Sequence, residues 1–344
     1  MIELNERRIT IIGGAGFIGH NLALSLARSG AKVDVVDSLQ VNNLLWFASR
    51  PEVANRELFL AMLNQRLDLL RANGIPLHPQ DARDYHALSR ILGELKPDVI
   101  VHLAAVSHAG RSNKDPFSTF DHSLRTLENA LDFARDSSVK QFIYLSSSMA
   151  YGNFGQAEVD EEHPLNPIGI YGALKVAGEK MVIAYQQVFG LPYTIIRPSA
   201  LYGPRCVSRR VGQIFIESAL AGEAIQVDGD GSEKLDFTYI DDLVGGMTLA
   251  IENPAALNEI FNLTYGSARS IRDLVDTVLE YFPGTPVEYC GRDQLMPVRG
   301  TLSAAKARSR LHYAPAFPIE EGIRRYVTWY RELRTEMAAP RANR

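Results

Sequence analysis

The sequence predicts an α/β fold: a doubly wound parallel sheet followed by a smaller C-terminal α/β region. Three observations carry this expectation. Short, almost wholly apolar runs alternate with longer helical patterns; those runs lack the alternation of a sheet with one wet face; and a glycine-rich turn directly follows the first of them. The 344 residues, 46% hydrophobic and 22% charged, are enough for two regions of ordinary globular composition.

The first strand, Ile9–Ile12, leads into Gly13-Gly14-Ala15-Gly16-Phe17-Ile18-Gly19, which opens a helix over Phe17–Arg28. Such a turn brings backbone amides and a helix N-terminus to a pyrophosphate that side chains would block, a Rossmann-type arrangement. The second strand, Lys32–Val36, ends in Asp37, where a carboxylate binds the ribose hydroxyls of NAD. Ser38, Leu39 and Gln40 follow without a basic residue to receive a 2′-phosphate, which favours NAD over NADP. Gly13, Gly16, Phe17, Ile18, Gly19 and Asp37 are therefore the expected cofactor residues; the alternative is a structural turn beside a solvated Asp.

A Leu-rich, helix-compatible stretch, Asn42–Asn73, interrupts the rhythm and closes at Asn73-Gly74. It reads as a packing helix, a lid over the cofactor edge, or a partner-binding helix. Asp81, at the end of the third strand, is placed to meet the adenine ring or to cap a helix over Asp84–Leu95. The fourth strand, Val99–Leu103, runs into Leu103, Ala104 and Ala105, whose small side chains admit the cofactor or allow a tight helix–sheet contact. A helix over Pro116–Arg135 and a fifth strand, Gln141–Leu145, lead to Ser146-Ser147-Ser148. A helix over Gly172–Phe189 and a strand over Tyr193–Ile196 complete the alternation. After Pro198 come an Arg/Ser loop (Arg205–Arg210), a helix (Val211–Gly222), a Gly229–Gly231 turn and a final αβα region ending near Leu333. The expected division is a cofactor domain of 1–200 plus about 237–264, a second region of 201–236 plus 265–335, and a flexible tail from 336.

The 36 basic and 40 acidic residues give a net charge of −4, so no global basic field attracts nucleic acid or anionic lipid. Cys206 and Cys290 are the only cysteines and form neither a disulfide framework nor a metal motif. No apolar run reaches the ~20 residues of a membrane helix, and no secretory signal is evident at the start. A cytoplasmic protein without metal, membrane or nucleic-acid partners is expected.

Tyr171 and Lys175 lie one helical turn apart in Tyr171-Gly172-Ala173-Leu174-Lys175, so the ammonium is expected to lower the phenol pKa for base catalysis. Together with GGAGFIG, Asp37, HLAA, SSS before Tyr151-Gly152, RPSALYGPR, GDGSEKLDFTYIDDL and FPIEEGIRRYVTWY, these residues resemble the extended short-chain dehydrogenase/reductases, specifically the NAD-dependent nucleotide-sugar epimerases and dehydratases. The resemblance spans about residues 8–333.

It implies Tyr171 as base, Lys175 as its partner and nicotinamide-ribose ligand, and Ser147 as hydrogen-bond partner of the reacting sugar hydroxyl, with Pro198 also at the cofactor. It further implies a nucleotide-diphosphate sugar as substrate, UDP-sugar favoured and GDP-sugar possible, and a homodimer through Pro116–Arg135 and Gly172–Phe189. Ser107, Ser148, Met149, Arg205, Arg210, Lys234 and Arg299 are the candidate substrate contacts. Dehydratases of this family carry a Glu, often with an Asp, where Ser148 and Met149 stand, so 4-epimerisation is favoured. The Ser107–Ser112 segment nevertheless looks like a dehydratase loop, and His108 or His122 could supply a proton. A 4,6-dehydratase, a 4-oxidase or reductase, and a non-catalytic NAD-sensing protein stay open as alternatives. Ala200 and Leu235 depart from the family's usual Asn and Arg.

Overall fold

The computed structural model describes residues 3–5, 7–106, 109–293 and 295–339. Its centre is a parallel sheet of seven strands: β1 (Arg8–Ile12), β2 (Lys32–Asp37), β3 (Leu77–Pro79), β4 (Val99–His102), β5 (Gln141–Leu145), β6 (Tyr193–Arg197) and β7 (Glu259–Asn262). The spatial order is β7-β6-β5-β4-β1-β2-β3. The chain starts in mid-sheet and winds outward in both directions, so a crevice opens where β1 and β4 part. The central strands β4, β5 and β6 are buried at every position, which explains why their sequences are continuous apolar runs.

Helices cover both faces. In chain order they are α1 (Phe17–Arg28), α2 (Leu44–Ala48), α3 (Arg56–Ala72), α4 (Tyr85–Leu95), α5 (Ala109–Lys114), α6 (Pro116–Phe120), α7 (Thr126–Arg135), α8 (Gly169–Phe189), α9 (Val211–Ala221), α10 (Ile240–Glu252), α11 (Ile271–Leu279), α12 (Ala305–Leu311) and α13 (Ile319–Ala338). The Leu-rich insertion is α2 and α3. Phe59, Met62, Leu63 and Leu70 of α3 are fully buried in the main core with Phe47, so this apolar face is spent inside the protein. After the second region begins, α10 packs back on α1 and β7 joins the sheet beside β6.

Two expected elements differ in detail. The helix over Pro116–Arg135 is not continuous: a π-helical turn at Asp121–Arg125 separates α6 from α7. The extra residue in that turn carries His122 to the crevice, a use to which π turns are often put. The C-terminal helix continues through the position where the tail was expected, to Ala338. There Gln65 Nε2 donates to Glu336 at 3.1 Å and Arg334 donates to the Leu220 carbonyl at 2.8 Å, so the last turn is held to α3 and α9.

No helix among the described residues is long and apolar enough to cross a membrane, and none of their His, Cys, Asp and Glu groups is arranged to hold a metal ion.

Candidate active site

A cleft open to solvent lies at the carboxyl ends of β1, β2 and β4. Gly13, Gly16, Phe17, Ile18, Gly19, Asp37, Asp81, Leu103, Ala104 and Ala105 all line it. Gly13 has φ +83°, and a Cβ there would stand 2.7 Å from the Ala104 amide nitrogen. The glycine turn and the HLAA segment are therefore pressed together so closely that only small residues fit, leaving the α1 N-terminus bare for an anion. The Asp37 carboxylate accepts from the Ala15 amide at 3.0 Å and the Leu39 amide at 2.7 Å. Burial raises its pKa, while those two amides and the charge of Arg66 act in the opposite direction. A carboxylate has about four acceptor positions, so room remains for ribose hydroxyls.

The two readings of Asp81 separate cleanly. Helix α4 is capped by Asp84, whose side chain accepts from the Ala87 amide at 3.0 Å. Asp81 instead faces the cleft and is held by Arg83, which donates to it from its backbone and its guanidinium. Burial alone would raise the Asp81 carboxyl, but the Arg83 bonds outweigh it and the net direction is down.

At the chemical end, Ser147 caps the short turn Ser148–Ala150 after β5, its Oγ accepting from the Met149 amide at 3.2 Å. The Ser147 side chain and the Arg210 charge both act on the Tyr171 phenol, each lowering it. Lys175, on the same face of α8, is buried and donates to the Leu145 carbonyl at 2.7 Å, with its nitrogen 5.9 Å from the centre of the Tyr171 ring. Ser147, Tyr171 and Lys175 thus meet as one group.

The expected electrostatics need correction. Burial raises the Tyr171 phenol, and the groups that oppose it are Arg210 and Ser147; the Lys175 ammonium is engaged with Leu145. Lys175 itself is pushed down to about 8, chiefly by desolvation, with Glu179 opposing.

The candidate substrate contacts divide. Ser107, with His108, lies outside the described residues. Ser148 and Met149 are buried in the turn after β5, where the Ser148 amide donates to the Pro198 carbonyl at 2.9 Å. Arg210 lines the cleft and its charge reaches both Tyr171 and Arg299. Arg299 is pushed down to about 10 by burial and then by Arg210, and its buried Nε has no hydrogen-bond partner. Two cations near one another with an open donor describe an anion site. Arg205 instead turns onto α1, donating to His20 Nε2 at 3.0 Å and Asn21 at 3.4 Å. Lys234 is exposed on a two-stranded pair with Arg269–Ser270.

Val41, Asn42, Arg66, Gln80, Thr126 and Ser208 also border the cleft and went unread in the sequence. For Arg66 a signal existed: it occupies the apolar stripe of α3 set by Phe59, Met62, Leu63 and Leu70, where a lone arginine is out of place.

The doubly wound sheet, the bare helix N-terminus and the Ser147/Tyr171/Lys175 group define a dinucleotide-dependent enzyme. Residues 9–264 match the model of the NAD dependent epimerase/dehydratase family. The chain is 31% identical over 336 residues to the UDP-glucose 4-epimerase of Mycolicibacterium smegmatis, covering 94% of this chain and 98% of that one. To the dTDP-glucose 4,6-dehydratase of Streptomyces griseus it is 26% identical over 329 residues, covering 95% of each. Among solved structures, the UDP-glucuronic acid 4-epimerase of Bacillus cereus, in complex with UDP-glucuronic acid and NAD, superposes with a TM-score of 0.85 at 24% identity, covering 94% of this chain and 99% of that one. The chain belongs to the NAD-dependent epimerase/dehydratase family, and its cofactor is NAD. The Gly13–Ala104 contact and the cleft-facing Asp37 fit that cofactor.

Proposed function

We propose that this chain is an NAD-dependent nucleotide-sugar 4-epimerase, with a UDP-sugar as the favoured substrate and Tyr171 as the base. The observation that carries the reading is the Tyr171 phenol set among Ser147, Lys175 and the charge of Arg210, with no acidic side chain at the two positions after Ser147. Arg210 and Arg299 hold the diphosphate. Ser147 orients the sugar hydroxyl, and Tyr171 takes its proton and later returns it. Arg210 and Ser147 oppose the rise that burial imposes on the phenol. Lys175 and Asp37 hold the two riboses of the cofactor. Bound NAD would supply hydride acceptance and return at the sugar C4, by way of a transient 4-keto sugar.

The test is incubation with UDP-, dTDP- and GDP-sugar panels, followed by nuclear magnetic resonance of the products. The C4 epimer, with no net NADH, is expected. A dehydrated 4-keto product, or consumption of added NADH, would overturn the reading in favour of a dehydratase or an oxidoreductase.

A homodimer belongs to the same reading. Phe117 (82% exposed) and Phe120 on α6, with Ile170, Val188 (71%) and Phe189 on α8, leave large apolar side chains in water on the two helices named for the interface. Light scattering should give twice the chain mass, and a monomer at micromolar concentration would refute it.

A further inference from the structure

The helical insertion carries one side chain that the reading above leaves without a task. Arg66 is 1% exposed in the core face of α3, yet it borders the cleft with Gly13, Gly16 and Asp37. Its Nε donates to the Arg205 carbonyl at 3.0 Å, Nη2 shares that carbonyl, and Nη1 reaches the Ala15 carbonyl at 3.4 Å. These acceptors are neutral, and they account for three of the five N–H groups of a guanidinium. Among the described residues no carboxylate forms an ion pair with it, and its neighbour Arg205 carries the same charge. Among the described residues Asp37 is the carboxylate whose charge is felt at Arg66, and that group already accepts two amides. A buried cation with so little compensation is unfavourable unless something anionic completes it.

We propose that Arg66 is a cofactor-binding residue whose remaining donors and charge are matched by the phosphate groups of the dinucleotide, which makes the insertion a built part of the cofactor site. The helix is anchored for this task by Phe59, Met62, Leu63 and Leu70, which fix the arginine in the core, and by its grip on the glycine turn at Ala15. Through the Arg205 carbonyl the same side chain reaches the loop that brings Ser208 and Arg210 to the cleft.

The inference rests on NAD as cofactor and not on the epimerase reading, so it is tested by binding alone. The wild-type chain, Arg66→Met and Arg66→Lys are compared for NAD retained per chain after purification, and for calorimetric affinity toward NAD, ADP and adenosine. Arg66→Met should weaken NAD and ADP by about tenfold to a hundredfold and leave adenosine within twofold. Arg66→Lys should fall between, since it keeps the charge and loses the fork. NAD and ADP affinities unchanged in Arg66→Met, or an equal loss for adenosine, overturn the proposal and leave Arg66 as packing. If Arg66→Met does not fold, Arg66→Lys decides: ADP weakened at least fivefold with adenosine unchanged supports the proposal, and unchanged ADP affinity refutes it.

Discussion

Replacing Arg299 by Gln separates a cation placed for substrate from one placed for stability. Burial first, and the Arg210 charge second, push Arg299 down to about 10. At ~1.4 kcal/mol for each tenfold change in ionisation, the fall from 12.5 to about 10 sets an upper bound of roughly 3.5 kcal/mol on the cost of the charged form, and the true cost is smaller because the side chain is partly exposed and screened. A diphosphate held between the two guanidinia removes that cost and fills the open Nε. In Arg299→Gln, the UDP dissociation constant and the KM for nucleotide sugar should both rise by about tenfold to a hundredfold while kcat is nearly unchanged, because the lost interaction is made equally in ground and transition states. The unliganded protein should melt at the same temperature or up to about 2 °C higher, since an unpaired cation has gone. Titration calorimetry with UDP, steady-state epimerisation and thermal melts of the nucleotide-free chain read these quantities. Unchanged UDP affinity, or an unliganded melting temperature lowered by several degrees, would refute the assignment and make Arg299 a structural residue.

Three further outcomes are expected. Tyr171→Phe should lower turnover by at least about 10²–10⁴-fold while the purified chain keeps its NAD, measured by nucleotide release and chromatography; substantial remaining turnover would mean another group is the base. Gly13→Ala should lose most of its NAD, since the new methyl lies 2.7 Å from the Ala104 nitrogen in a backbone at φ +83°, and a variant that still co-purifies with a full complement would contradict the cleft assignment. Lys175, lowered to about 8, should put an alkaline limb near that pH on kcat/KM, because the ammonium is lost above it. On stability the sign is opposite: between about 8 and 10.5 the unfolded chain holds the Lys175 proton and the folded chain does not, so this residue makes stability rise with pH across that window. Chemical denaturation of wild type and Lys175→Met at pH 7.5 and 10 should show the rise in the former only.

The sheet, the glycine turn and the Ser147/Tyr171/Lys175 group were legible because each has a local signature: a buried strand is an apolar run, and a dinucleotide turn needs glycine where another backbone passes. What was hidden depends on contacts distant in sequence. Arg205 and Arg210 look alike as loop arginines, yet Arg205 turns to His20 and Asn21 of α1, and Arg210 borders the cleft. The π turn at Asp121–Arg125 leaves no compositional trace in a helix-compatible stretch. The raised Tyr171 phenol follows from burial, and the Lys175 ammonium is taken by the Leu145 carbonyl; neither is visible in a Tyr-xxx-Lys spacing.

Elimination of water from a sugar needs a second acid–base pair beside the tyrosine, and what surrounds the fifth strand bears on that. The turn after β5 offers Ser148 and Met149, both buried, with the Ser148 amide tied to the Pro198 carbonyl. Behind it, Glu179 is gripped by Arg197 through two bonds of 2.9 and 2.7 Å and also takes the Ser146 hydroxyl. Glu161 accepts from the Asn262 amide at 2.7 Å. Carboxylates occupied in this way inside the fold brace Tyr151, Arg197 and the end of β5, and they are not available as donors to a substrate. Among the described residues of the turn after β5 and of α8, the Tyr171 phenol and the Ser147 hydroxyl are the groups placed to move a proton, and in the proposed reading Arg210 and Arg299 hold the diphosphate. In that reading a sugar fastened by its diphosphate turns to present its other face. This is why the proposed reading is epimerisation rather than elimination: it turns on the two positions after Ser147, which carry no acid.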